Sequence, residues 1–174
     1  MISQSFKIPF MVSNRNWLFL LLFFMIGTNS YSQQIKIIKY PELQQILDQT
    51  SDSILVVNFW ATWCAPCVAE IPHFEKVSTR YASKKVKVIL VSLDAVTSLK
   101  KKVEPFVARK GIRAAQVLLL DETDYNAWID KVAPEWSGAL PFTLIVNMRS
   151  KMKKGFERPF TEAELVAELD PFIN

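Results

Sequence analysis

The chain has 174 residues, half of them hydrophobic and 22% charged, with 4 Gly and 9 Pro. That length is about one domain, and the composition excludes disordered, collagen-like and low-complexity classes. With 21 basic against 17 acidic residues the net charge is +4, too small a surplus to argue for nucleic acid as a partner. Two cysteines are too few for a disulfide-scaffolded mini-protein.

Residues 1–32 read as an export signal. Lys7 and Arg15 form a basic start with no acid nearby, and residues 17–26 (WLFLLLFFMI) are unbroken apolar. Ser30-Tyr31-Ser32 then places small residues where a cleavage after Ser32 needs them. An apolar helix of that length rises about 16 Å against a hydrocarbon core of roughly 30 Å, which favours cleavage over an uncleaved membrane anchor. Without this segment the chain carries 19 basic and 17 acidic residues, a net of +2. The expected location is extracytoplasmic, a bacterial periplasm, where an exposed cysteine pair oxidises unless something reduces it.

From Gln33 onward, strand-like and helix-like patterns alternate, predicting one domain over 33–174. Residues 35–38 form a short β-branched run, and 41–49 a helix with Leu43, Ile46 and Leu47 on one face. Residues 53–60 (SILVVNFW) and 86–93 (VKVILVSL) are near-continuous apolar runs, as expected of strands buried on both faces. A helix is expected over 65–83. Residues 97–110 predict an amphipathic helix, with Leu99, Val103, Phe106 and Val107 inward; Lys100, Lys101 and Lys102 fit a solvated face better than an anion site. A strand at 117–120 and a short helix at 124–132 follow. Residues 142–146 and 151–156 predict an antiparallel hairpin, and Thr161 with Glu164 a capping box opening a last helix. The expected class is α/β, a mixed central sheet flanked by helices in three layers.

Both cysteines stand in Trp63-Cys64-Ala65-Pro66-Cys67, directly after a buried strand and at the start of a helix. Two thiols at this spacing close a short disulfide with little backbone movement. The helix N-terminus offers unpaired N–H groups and positive dipole character to the first sulfur, favouring its thiolate. Cys64 is thus the expected nucleophile, and Cys67, one turn inward, the buried resolving thiol. Pro66 lacks an N–H where none is needed. Zinc would need about four ligands, and one His with two Cys is too few. Haem attachment would need His where Val68 stands. No cofactor or metal is expected. A purely structural disulfide closing so short a loop gains little stability.

The stretch 57–67 (VNFWATWCAPC) resembles the active-site strand and turn of the thioredoxin superfamily, and more narrowly the TlpA/ResA-like thiol–disulfide reductases, which are exported or membrane-tethered. The resemblance covers roughly residues 35–174. It implies a thioredoxin-like fold with a strand-helix insertion around 94–132 and a helix kink at Pro72. It also implies a functional carboxylate at Glu70 and a cis bond before Pro141 in Leu140-Pro141-Phe142-Thr143. Asn58 stands where cytosolic thioredoxin has a buried Asp, leaving Glu70 to accept the proton of Cys67; the same residue also fits a solvated acid near the helix start. Substrate contacts are expected from Trp63, Pro66, Leu140 and Pro141. Trp60 reads as packing, Trp136 as either groove or core, and His73 as a surface residue or a partner of Glu70.

The implied activity is reduction of disulfides in other exported proteins, apocytochrome c among them, with electrons from a membrane thiol donor. A disulfide-donating oxidase would use the same residues at a more oxidising potential. A thiol peroxidase of the Pro-x-x-x-Thr/Ser-x-x-Cys kind fits poorly. Val57 and Ala61 precede Cys64 at those positions, and Trp60 and Cys64 precede Cys67. A peptide-binding module without turnover is the non-enzymatic alternative.

Overall fold

The computed structural model describes residues 33–173. The export signal expected at 1–32 lies outside the described residues. Valine, isoleucine and leucine dominate β2 (Ile54–Trp60) and β3 (Val86–Ser92), which pair in parallel along their whole length. Every residue of β2 is buried, as its unbroken apolar run demands of a strand covered on both faces. Around them the sheet takes the order β1-β4-β3-β2-β5-β6, with β1 (Lys36–Ile38), β4 (Gln116–Leu120), β5 (Phe142–Asn147) and β6 (Lys153–Phe156). The first four in that order run parallel; β5 pairs antiparallel with β2, and β6 antiparallel with β5. β4 comes from the inserted segment and sits between β1 and β3, so the insertion is part of the sheet.

Alternation along β2 sorts the two faces. Val56 and Trp60 meet α2 (Ala65–Tyr81) through Ile71, Phe74 and Val77, α3 (Glu104–Lys110) through Phe106 and Val107, and α5 (Glu162–Ile173) through Leu165 and Leu169. Leu55, Val57 and Phe59 face α1 (Tyr40–Asp48) through Leu43 and Leu47, and α4 (Ile129–Val132) with Trp128 and Trp136. Ile46, expected on the inward face of its helix, is only partly buried. Among the described residues, the six-stranded mixed sheet with five helices on its faces is the expected thioredoxin-like architecture.

Three local expectations need correction. The helix over 97–110 opens as a 3-10 turn (Val96–Ser98) and a π-turn (Leu99–Val103) before α3, with Glu104 N–H bonded to Leu99 O. Pro105 explains this: its ring clashes with an α-type Lys101 carbonyl and it has no N–H to donate, so the turn before it widens. The helix at 124–132 splits into a 3-10 turn (Tyr125–Ala127) and α4. β6 begins two residues late because Lys151 takes a left-handed conformation at φ 60°. The capping box is present: Thr161 N–H donates to Glu164 Oε2 at 2.9 Å, and Glu164 N–H reaches Thr161 Oγ1 at 3.4 Å.

Candidate active site

β2 ends at Trp60, and three residues carry the chain to Cys64, the N-cap of α2. Cys64 and Cys67 are joined in a disulfide with Cα atoms 5.3 Å apart. Cys67 N–H, a donor that the helix leaves free, points at Cys64 Sγ at 3.3 Å. Cys64 is 6% exposed and Cys67 fully buried, the order expected of an attacking and a resolving sulfur. Pro66 takes the second helical position, exposed, with no backbone donor to satisfy. The helix continues through Pro72.

The turn is held by a residue that sequence reading missed. Asp94, buried just beyond β3, accepts from Thr62 N–H at 2.8 Å and from Thr62 Oγ1 at 2.6 Å. Ser92 Oγ donates to the same carboxylate at 2.9 Å. Trp60 O also accepts from Leu93 N–H at 2.8 Å. The carboxylate therefore ties the segment before Cys64 to the end of the neighbouring strand. In the sequence Asp94 resembles any acid after a strand, and only parallel pairing of β2 with β3 brings it to Thr62.

Glu70 is 2% exposed. Its Oε1 accepts from Asn58 Nδ2 at 2.8 Å and its Oε2 from Phe160 N–H at 2.8 Å. Burial pushes this carboxyl from 4.5 up to about 7, against the opposing pull of both hydrogen bonds and of Arg158. Glu70 is thus no solvated first-turns acid. Asn58 also donates to Thr143 Oγ1 at 3.0 Å, linking Glu70 to the strand after Pro141, while its own Oδ1 has no partner. His73 is half-buried with no hydrogen bond at its Nδ1, and the two carboxylate oxygens of Glu70 bond Asn58 and Phe160 instead of His73.

On the other side of the disulfide lies a groove of about 820 Å³, lined by Trp63, Cys64, Ala65, Pro66 and Leu140, together with Leu93, Tyr125, Asn126, Ile129 and residues 137–139. The Leu140–Pro141 bond is cis. Leu140 lines the groove; Pro141 is buried behind it and does not. Glu70 lies instead beside a second, smaller depression with Pro66, His73 and Phe160. Trp136 proves to be core: it is 2% exposed, its ring stacks on Phe142 at 4.5 Å, and its Nε1 donates to Ala139 O at 2.8 Å. It braces the loop before Pro141 from behind. Trp60 is packing, its ring 5.1 Å from that of Phe106.

Comparison with known proteins agrees with this geometry. The chain is 38% identical over 74 residues to the thiol-disulfide oxidoreductase ResA of Oceanobacillus iheyensis, covering 41% of this chain and 38% of the relative. It is 28% identical over 116 residues to the thioredoxin-like protein YneN of Bacillus subtilis, covering 67% and 63%. It thus spans less than two thirds of the length of either curated relative. Among solved structures, a thioredoxin-related protein from Neisseria meningitidis serogroup B superposes with TM-score 0.60 at 19% identity, over 70% of this chain and 86% of the other. StoA from Bacillus subtilis superposes with TM-score 0.51 at 24% identity, over 67% and 81%. These likenesses show the fold. A family model described as the AhpC/TSA family matches residues 38–157, well over half the chain, and with the ResA and YneN relatives it makes this chain a member of the AhpC/TSA family, of the TlpA/ResA-like kind.

Proposed function

We propose that the chain is an exported thiol–disulfide oxidoreductase that reduces disulfides in other exported proteins. The observation that carries this reading is the Cys64–Cys67 pair at the N-terminus of α2, its second sulfur buried one helical turn before the buried Glu70. With the pair reduced, the helix N-terminus favours the Cys64 thiolate. This thiolate attacks a substrate disulfide: a bond forms between Cys64 and one substrate sulfur, and the other leaves with the electron pair as a thiolate. Cys67 then gives its proton to Glu70 and attacks Cys64, releasing the second substrate sulfur and closing the pair. A carboxyl raised to about 7 both takes and returns a proton near neutral pH.

Trp63, Pro66 and Leu140 line the groove beside the disulfide, which supports them as contacts for a substrate chain. Leu140 precedes the paired register of β5, so its backbone is available to an extended peptide in the strand-addition mode, with Pro141 fixing the turn. A membrane thiol donor returns the electrons. The apolar stretch at 17–26 supports export, and the TlpA/ResA-like character supports the reductase direction. The test is the reduction potential of the pair in the full-length protein, equilibrated in thiol buffers and followed by tryptophan fluorescence. A value near thioredoxin's, about −270 mV, supports a reductase; a value near about −120 mV, that of a strong oxidant, overturns it.

A further inference from the structure

The groove beside the disulfide is assembled from pieces of chain far apart in sequence. Trp63 on the active-site turn forms one wall, and Tyr125 and Ile129, from the inserted segment, form another. Four large apolar side chains are exposed among the described residues, and two of them, Trp63 at 66% and Tyr125 at 43%, border this one groove. None of its lining residues is charged. Exposed aromatic rings gathered at one apolar depression are the residues and the place where binding energy concentrates.

The inserted wall is held in place before anything binds. The Tyr125 ring lies 6.1 Å from that of Trp128, which is 1% exposed and packs on Phe59 and Tyr40. Ile129 presses on the loop before Pro141: a Cβ on Gly138, at φ +93°, would stand 3.2 Å from Ile129 Cδ1. A preformed wall costs little ordering on binding. A charged side chain entering here would shed water and find no counter-charge, whereas a large apolar one would cover both rings.

We propose that the space between Trp63 and Tyr125 is a subsite for the side chain flanking a substrate's disulfide cysteine, and that it selects polypeptides with a large uncharged apolar residue there. On this view the inserted segment, through Tyr125 and Ile129, sets substrate choice. The proposal rests on the exchange reading above, since Cys64 in the groove wall is what fixes the substrate sulfur next to the subsite.

The test uses the full-length chain carrying Cys67→Ser and a set of short peptides. Each peptide holds one cysteine as a mixed disulfide with thionitrobenzoate, and the set differs only in the residue beside that cysteine: Trp, Leu, Asp or Lys. The Cys64 thiolate attacks the peptide sulfur, a Cys64–peptide disulfide forms, and the old bond's electron pair departs on coloured thionitrobenzoate. The Trp and Leu peptides are expected to react about tenfold faster than both charged peptides. Comparing Asp with Lys separates apolar selection from simple charge steering. Tyr125→Ala is expected to bring the ratio within about twofold by the loss of one ring face, and Tyr125→Phe to keep it. Equal rates across the set overturn the subsite, as does a Tyr125→Ala variant that slows all four peptides alike. If no peptide reacts, the exchange reading itself falls and the subsite with it.

Discussion

Glu70 is a carboxyl buried to 2% exposure, and that burial has measurable consequences. In the fold its carboxyl holds a proton up to about pH 7, against an ordinary value of 4.5. Between those values the folded chain therefore binds a proton that the unfolded chain has released, and stability falls as pH rises. The contribution is complete below pH 4.5 and lost as pH passes 7, in total about 3 kcal/mol. Glu70→Gln is expected to flatten this slope in denaturant titrations at pH 5 and pH 8. Gln is accommodated, because Asn58 can turn its amide so that the unpartnered Oδ1 accepts from the new Nε2, while Thr143 donates instead of accepting. The same variant is expected to slow release of a mixed disulfide at Cys64 without slowing its formation, measured by quenched-flow alkylation. A variant that slowed both steps alike would assign Glu70 to folding alone.

Between β2 and α2 the decisive contact is the carboxylate of Asp94 on Thr62. Asp94→Asn can keep the geometry, with Oδ1 accepting from Thr62 N–H and Nδ2 donating to Thr62 Oγ1, while removing the charge. Asp94→Ala leaves the Thr62 donor N–H unpaired, at a cost of about 1–3 kcal/mol. Alkylation of Cys64 against pH separates the two contributions: both variants remove the charge, so a change shared by Asn and Ala reads the charge, and a change seen with Ala alone reads the loosened turn. Unchanged profiles in both variants would remove Asp94 from the site. The strands, the cysteine pair and most helices were legible because each is written in adjacent residues, as in SILVVNFW or WCAPC. Asp94, the Asn58–Glu70–Thr143 network and the core role of Trp136 were not. Each depends on partners brought together only by strand order, such as Asn58 opposite Thr143 in the β2–β5 register. The π-turn was missed for a different reason: the apolar spacing of Leu99, Val103 and Phe106 reads as helix whether the turns are tight or wide, and only Pro105 hints at the change.

At the scale of the molecule, the active-site turn, the end of β3 and the loop that enters the antiparallel β5 before Pro141 meet at one end of the central strands. The inserted β4 extends that sheet between β1 and β3, and the segment after it returns to the same end to build a groove wall. The inserted segment therefore supplies a groove wall but neither sulfur, and a change at Tyr125 leaves the turn that carries the cysteines in place.

The anchoring of Thr62 by Asp94 does not pass through the sulfur–sulfur bond, so opening that bond does not of itself release this anchor. Redox state and folding then form a closed thermodynamic cycle: the difference in unfolding free energy between oxidised and reduced protein equals the difference in disulfide potential between folded and unfolded chain, with each 30 mV worth about 1.4 kcal/mol, and the order of the two melting temperatures reads its sign. A strong oxidant owes its potential to a reduced form that is the more stable of the two. A reductase is expected to show the opposite order, melting higher with the pair closed. Two calorimetric scans, one with and one without a thiol reductant, thus read the direction of electron flow from heat alone, before any substrate or donor is in hand.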